Sequence, residues 1–296
     1  MKFALFSLAL AFSLTGHAIT LGTYNIRNFD YDERSRIHTN KPELANVFKS
    51  LNADLMALQE VNNTLEFGKF LTSRLPGYDF ETTRCGGAHG QKLGFLFKTA
   101  TMELLSFNED LAISEPGRSG TCDSGSRPLA IGLFKVRSTG QKFYAIAVHL
   151  KSGGAPDSIS KRKLQYQIIK KTVMELRSKT GVKDFFIAGD FNTTEYRNRG
   201  VDYVELTKVV KDLGMTDLVS GLACTAYWWG GTDDQIESPS VLDHVLVTPG
   251  LMKVKSAAAQ SYAHCQKVSC QEVPIKKLGV VYESVSDHCP ISAKVQ

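Results

Sequence analysis

Short apolar runs that stop at a polar residue recur along the chain, and no other feature constrains its fold as much. In "FFIAGDFNTT", residues 185–194, four apolar or small residues lead through Gly189 to Asp190, with Asn192 two residues on. A run apolar at every position reads as a strand buried on both faces. In an extended chain, residues two apart face the same way, so Asp190 and Asn192 should point together.

The same grammar repeats. Strands are expected at 20–26, 54–61, 78–84, 92–98, 101–107, 128–136, 142–150, 183–190 and 240–247. Helical spacing marks 41–52, where Pro42 sits in the first turn, and also 65–75, 158–179 and 202–214. The long basic helix near 158–179 should carry Leu164, Ile168, Val173 and Leu176 on one side. Loops at 108–127 and 258–286 are long enough to face substrate or to need disulfides. Hydrophobic content of 43% among 296 residues supplies a sizeable core. Alternating strands and helices without a repeat or linker favour one domain in which mixed sheets are covered by helices.

The first residues read as an export signal. Lys2 precedes an apolar run from Phe3 to Leu14, and Gly16-His17-Ala18 forms a small-x-small cleavage pattern. The run is shorter than the roughly 18 apolar residues a membrane span needs. We therefore expect residues 1–18 to be a signal peptide, residues 19–296 to be one domain, and the protein to be secreted or periplasmic, monomeric and without a membrane anchor. Export makes disulfides the natural use of Cys85, Cys122, Cys224, Cys265, Cys270 and Cys289. Cys265 and Cys270 would close a short loop if paired, and Cys85 and Cys122 flank a Gly/Ser-rich region, but sequence does not choose the pairing. Finger-type zinc spacing is absent.

Polar residues at strand ends carry the chemistry. "TYNIRNF" offers Asn25 and Arg27, "LMALQEV" Glu60, "IAVHLKSG" His149, "AGDFNTT" Asp190 and Asn192, "VLDHVLV" Asp243, and "VSDHCPISA" Asp287 and His288. Singly, each is an ordinary turn former or surface group. Together they fit one reaction. Asn25, Glu60, Asp190, Asn192 and Asp287 are oxygen donors suited to a hard cation such as Mg²⁺, with Mn²⁺ or Ca²⁺ as alternatives. His149 and His288 can act as acid and base, and Asp243 can orient an imidazole. Arg27 and Arg127 can neutralise phosphate oxygens. The combination points to hydrolysis of a phosphodiester.

The ordered series "TYNIRNF", "LQEV", "SRPLA", "VHLKSG", "GDFN", "LDHVLV" and "SDHCP" resembles the endonuclease/exonuclease/phosphatase superfamily, which includes deoxyribonuclease I. The resemblance runs from about residue 20 to 295. It implies an α+β fold, a four-layer αββα sandwich of two packed mixed sheets flanked by helices. It places Asn25, Glu60 and Asp287 at the metal, and Asp190 and Asn192 at the attacking water and scissile phosphate. His288 would be a catalytic imidazole held by Asp243, His149 its second histidine, and Arg27 and Arg127 phosphate contacts. One departure stands out: Gln91 occupies the place of a Glu that supports the second histidine. His244, which follows Asp243 within a strand, points away and reads as structural.

Nucleic acid is the expected partner: DNA, and RNA beside it, cut internally to 5′-phosphate ends without sequence preference. The formal charge of +5 agrees with an anionic partner but does not demand one. Lys161-Arg162-Lys163 reads either as a phosphate contact or as a solvated helix face. A sphingomyelinase-like lipid phosphodiesterase is the rival enzyme, and "AYWWGG" would be its membrane-facing tip. A non-catalytic nucleic-acid binder is the third reading, opposed by the complete acid, amide and histidine set.

Overall fold

The computed structural model describes residues 18–115, 121–122, 125–252 and 257–295; apart from Ala18, the expected signal peptide lies outside the described residues. Two six-stranded sheets form the centre. The first runs Gln260–Ser261, Ile291–Lys294, Thr20–Asn25, Leu55–Val61, Lys92–Lys98, Tyr78–Thr82. The second runs Thr216–Asp217, Asp243–Val247, Phe185–Asp190, Lys142–His149, Leu129–Val136, Met102–Asp110. Each sheet has one parallel pair near its middle, Thr20–Asn25 with Leu55–Val61 and Phe185–Asp190 with Lys142–His149. Parallel pairing sends both C-terminal ends of a pair to one edge, which is how Asn25, Glu60, His149 and Asp190 come to be neighbours.

Alternation along the strands builds the layers. On Leu55–Val61, Leu55 and Ala57 face the seam between the sheets, where Phe95, Phe134, Ala145 and Ile187 meet. Met56 and Leu58 face outward onto Phe48, Phe67 and Phe70, from the helices Lys41–Leu51 and Thr64–Arg74. Those helices start where Asn40 and Asn63 accept the N–H of Glu43 and Glu66, each at 3.1 Å. Helices Pro156–Thr180 and Val201–Asp212 cover the second sheet with Tyr166, Ile169, Val173, Leu206 and Val209. The result is the expected four-layer αββα sandwich, and among the described residues no helix is long and apolar enough to cross a membrane.

The structure alters several expectations. The buried face of Pro156–Thr180 carries Arg162, Gln165, Tyr166, Ile169, Thr172 and Val173, while Leu164 is exposed. Of the expected apolar side, Val173 is buried and Ile168 and Leu176 pack partly against the core, but the apolar reading left out Arg162, Gln165 and Thr172 because half of the buried face is polar. Arg162 is neither a phosphate contact nor solvated. It is fully buried: Nε donates to Asp202 at 2.9 Å, and a second nitrogen donates to the carbonyls of Lys151 and Gly153, both at 2.7 Å. Its Nη2 also meets the second Asp202 oxygen. The ion pair ties the long helix to the next one and to the loop after His149.

Cys265 and Cys270 do not pair with each other. The bridges are Cys85–Cys122, Cys224–Cys270 and Cys265–Cys289. The last two border a small three-stranded sheet that the sequence did not announce, Ala226–Trp228, Ile236–Ser240 and Val273–Pro274. The strand expected at 240–247 is divided: Ser240 ends a strand of this small sheet, and Asp243–Val247 belongs to the second large one. Met102–Asp110 is longer than expected and takes in three residues assigned to a loop.

Removing Arg162 would leave Asp202 charged and buried. Arg162→Ala should therefore cost about 3–5 kcal/mol of stability, read from urea unfolding. An unchanged midpoint would show that the buried pair does not hold these helices.

Candidate active site

The site is assembled at one edge of the sheet–sheet seam. In the second sheet, Asp190 pairs laterally with His149 on one side and Asp243 on the other, so three strands present these side chains in a row. The turn into this row requires glycine: Gly189 has φ +146°, and a Cβ there would lie 2.0 Å from the Val148 carbonyl oxygen. Beyond Asp190 the chain does not stay extended. Asn192 adopts φ +53°, and its N–H donates to Asp190 Oδ1 at 2.9 Å. Asn192 thus serves Asp190 through its backbone, while its side-chain amide donates to Leu150 O at 3.2 Å. The extended-chain expectation for this pair fails because an Asx-type turn competes successfully with the strand.

The first sheet supplies Asn25 and Glu60. Asn25 lies opposite Gln59 in the parallel pair, and regular alternation would send Glu60 to the helix-covered face. A one-residue register shift between Leu58 and Val61, with φ +64° at Glu60, turns the carboxylate back. Asn25 Nδ2 then donates to Glu60 Oε1 at 3.1 Å and to Asp190 Oδ2 at 3.3 Å, linking the two sheets.

Two imidazoles flank Asp190. His149 Nε2 stands 3.2 Å and His288 Nε2 3.6 Å from Asp190 Oδ2. His288 Nδ1 is 2.8 Å from Asp243 Oδ2, and Ser286 Oγ, which donates to Asn25 O at 2.7 Å, accepts the His288 N–H at 3.0 Å. Ser286 is a contributor that sequence reasoning missed; it lies two residues before His288 in a polar stretch with no distinguishing pattern.

The two histidines carry opposite electrostatics. Burial and then the Arg127 guanidinium push the His149 pKa below its ordinary value, and Arg127 donates directly to His149 Nε2. For His288, burial alone would lower the pKa, but the Asp243 and Asp190 carboxylates outweigh it and raise it well above the ordinary value. Burial would likewise raise Asp190; the neighbouring imidazoles and the Asn192 N–H reverse this and hold its carboxyl low. Burial lifts the Asp243 carboxyl, and His288 supplies the positive charge that keeps the pair ionic.

The remaining expected residues stand further out. Asp287 is half-buried; its backbone carbonyl accepts from Tyr227 N–H at 3.0 Å, and its carboxylate makes no hydrogen bond among the described residues. Arg27 Nη1 and Nη2 donate to the carbonyls of Tyr282 and Glu283, both at 3.2 Å, while its Nε makes no hydrogen bond and lies 3.9 Å from Asp32 Oδ2. Gln91 does not hold His149. Its amide donates to Asn28 Oδ1 at 2.8 Å, and His149 Nδ1, buried without a hydrogen-bond partner, lies 3.9 Å from Glu60 Oε1. His244 is engaged at both nitrogens, by Asp217 at 2.9 Å and Thr193 at 2.8 Å, consistent with a structural role. The grouping of His264 with Cys265 and Cys289 cannot take a metal as thiolates, since those cysteines are bridged to each other.

A family model described as the endonuclease/exonuclease/phosphatase family matches residues 22–288, and the chain belongs to that family. Its superfamily comprises metal-dependent phosphodiesterases and phosphatases. No curated protein sequence matches significantly. Among solved structures, the chain is similar to an endonuclease/exonuclease/phosphatase from Bacteroides vulgatus (20% identity, TM-score 0.65, 94% of this chain and 98% of that one). It is similar to the mannosyl-6-phosphatase of Bacteroides thetaiotaomicron VPI-5482 (18%, TM-score 0.63, 93% and 98%). It is also similar to D. rerio TDP2 complexed with single-strand DNA product (15%, TM-score 0.62, 94% and 98%). At these identities the likeness concerns the fold.

In metal-free protein, an NMR titration should find His288 protonated to well above pH 6.5 and the His149 midpoint below it. Asp243→Asn removes a carboxylate that raises His288 and should move its midpoint toward acid. Equal midpoints for the two rings in the native protein would remove the distinction between them.

Proposed function

We propose that the protein is an exported, monomeric, metal-dependent phosphodiesterase that cuts DNA, and RNA beside it, internally and leaves 5′-phosphate ends. The observation that carries this reading is one carboxylate, Asp190, with an imidazole on either side, His149 beside the Arg127 guanidinium and His288 beside the Asp243 carboxylate, so that their pKa values are pushed in opposite directions. Environments that push two titratable groups apart assign base and acid. Asp190 orients the attacking water, and His149 Nε2 takes its proton. That requires Arg127 to leave His149 for a phosphate oxygen, a move substrate binding would drive. The water oxygen bonds to phosphorus, the bond from phosphorus to the 3′ oxygen breaks, and His288 Nε2 gives its proton to that leaving oxygen. Asp243 holds His288 in the protonated form, and Asn192 fixes Asp190 and borders the scissile phosphate. Arg27 braces the loop that carries Asn25.

The donor set fits a hard divalent cation. Each Glu60 carboxylate oxygen accepts a single hydrogen bond, from Asn25 and from the Asn28 N–H, and so keeps a free lone pair. Asp287 offers an uncommitted carboxylate on the same edge, and Asn25 an amide oxygen. Glu60, Asn25 and Asp287 would hold Mg²⁺, or Mn²⁺ or Ca²⁺, which when bound offsets the charge on the phosphate. Three disulfides agree with the export of a single domain spanning residues 19–296.

One observation favours a second reading, a phospholipid phosphodiesterase: Trp228 and Trp229 are exposed on the small sheet whose Ala226 pairs with His288. Plasmid DNA, RNA and sphingomyelin vesicles, each with Mg²⁺ and then EDTA, separate the readings. Nicking of plasmid that chelator stops and added Mg²⁺ restores is the expected result, with Asp190→Ala and His288→Ala slowed by roughly a hundredfold or more. Binding of Asp190→Ala protein to short duplexes should weaken with salt, with a log–log slope of about 0.9 per neutralised phosphate, and more shallowly in the Arg127→Ala double variant. Vesicle cleavage with a flat salt response on DNA would select the lipid reading.

A further inference from the structure

Glu60 is the most constrained carboxylate at the site. Its φ of +64° is rare for an L-residue and has to be held by its surroundings. The loop after Asn25 does the holding. Phe29 N–H and Asn62 N–H both donate to the Glu60 carbonyl, at 2.9 and 3.1 Å. Asn25 Nδ2 donates to Oε1 at 3.1 Å, and the Asn28 N–H to Oε2 at 3.0 Å.

Asn28 is itself in the left-handed region, φ +47°, so its N–H is aimed only while its side chain is fixed. Three bonds fix it. Its Oδ1 accepts from Gln91 Nε2 at 2.8 Å and from Asn62 Nδ2 at 3.2 Å, and its Nδ2 donates to Asp32 Oδ1 at 3.1 Å. The shortest of the three comes from Gln91, at the start of another strand. A continuous line thus runs from Gln91 through Asn28 to Glu60 Oε2, while the other carboxylate oxygen, Oε1, stands 3.9 Å from His149 Nδ1.

We propose that Gln91 is a positioning residue for Glu60: acting through Asn28 and not by a bond to His149, it aims the carboxylate and so sets the affinity for the divalent cation. This rests on the reading of Glu60 as a cation ligand. The chemistry of position 91 makes the assignment specific. Asn28 Oδ1 can only accept, and the Asn28 amide nitrogen is committed to Asp32. A glutamate at 91 can only accept as well, so Gln91→Glu breaks the link just as Gln91→Ala does. Were Gln91 serving His149 instead, a glutamate would be the better partner, because a carboxylate stabilises an imidazolium.

Calorimetric titration of the metal-free protein with Mg²⁺ and with Mn²⁺ tests this in wild type, Gln91→Ala, Gln91→Glu, Asn28→Gly and the Gln91→Ala/Asn28→Gly double variant. Glycine at 28 keeps the N–H and the backbone conformation while deleting the side-chain link. Losing an outer hydrogen bond to a ligand typically weakens metal binding about 10–100-fold. Both Gln91 variants should show that loss, with kcat on plasmid at saturating cation unchanged. The double variant should be no weaker than Asn28→Gly alone, because both changes cut one line. Unchanged cation affinity in Gln91→Ala overturns the proposal. So does a Gln91→Glu protein that keeps its affinity. Wild-type protein that binds the cations but cuts no phosphodiester would overturn the proposed function alone; wild-type protein that binds neither cation would overturn both.

Discussion

Two carboxylates, Glu60 from one sheet and Asp190 from the other, face each other across the seam, and a single amide, Asn25, donates to both. The rest of the site depends on that arrangement. Two ionised carboxylates brought together in a buried place repel each other and lose hydration, and one of them would ordinarily take up a proton. Here the charge is matched instead. Asn25 satisfies one oxygen of each, and His288 adds a full positive charge beside Asp190. His288 is in turn held by Asp243, so the sheet edge carries a line of carboxylates from Asp243 through Asp190 to Glu60, separated by an imidazole and by a neutral amide donor. A cation among Glu60, Asn25 and Asp287 would extend that line by one more member.

Such a line needs backbone that regular strands do not provide. Within a strand, neighbouring residues point to opposite faces, so a sheet edge offers only every second side chain to the seam. The chain escapes this limit in three places. Gly189 allows a close approach to Val148, the bulge at Glu60 reverses one side chain, and Asn192 closes a turn onto Asp190. Each escape sits at the C-terminal end of a strand of a parallel pair, or directly after it, where the ladder is ending and fewer hydrogen bonds are given up. Strain concentrated next to catalytic groups is common, and here its cost is offset by hydrogen bonds from the same loops.

Much of the fold was legible because both-face burial of strands and one-sided burial of helices leave distinct periodicities. "KLGFLFK" was located to the residue, and the helix 41–52 to within one. What periodicity cannot show is a polar residue buried for a reason. Arg162 and Gln165 look like solvated helix residues until Asp202 and the Lys151 N–H are brought to them from elsewhere in the chain. The site was legible in kind, as strand-end acids, amides and imidazoles, but its connections were not. That Asn25 joins Glu60 to Asp190 depends on a contact 165 residues away in sequence. Gln91 illustrates the limit well: its position in the series pointed to His149, while its hydrogen bond goes to Asn28.

The disulfides belong to the same logic, because none of them staples the central sheets. Cys289 follows His288 directly, and its bridge to Cys265 fixes the segment that brings this imidazole to Asp243. Cys224 lies two residues before Ala226, the residue bridged to His288, and is tied to Cys270. The third bridge, Cys85–Cys122, stands between the strand that ends at Thr82 and the stretch leading to Arg127. The seam, with aromatic residues packed across it, has ample apolar contact without covalent help. The segment that carries His288 packs instead in a smaller cluster with Tyr227, Leu278 and Tyr282, which includes Cys224, Cys265 and Cys289. Cross-links act mainly by restricting the alternatives open to a segment. Placing all three beside the functional edge puts that restriction on the segments whose disorder would cost the site its geometry.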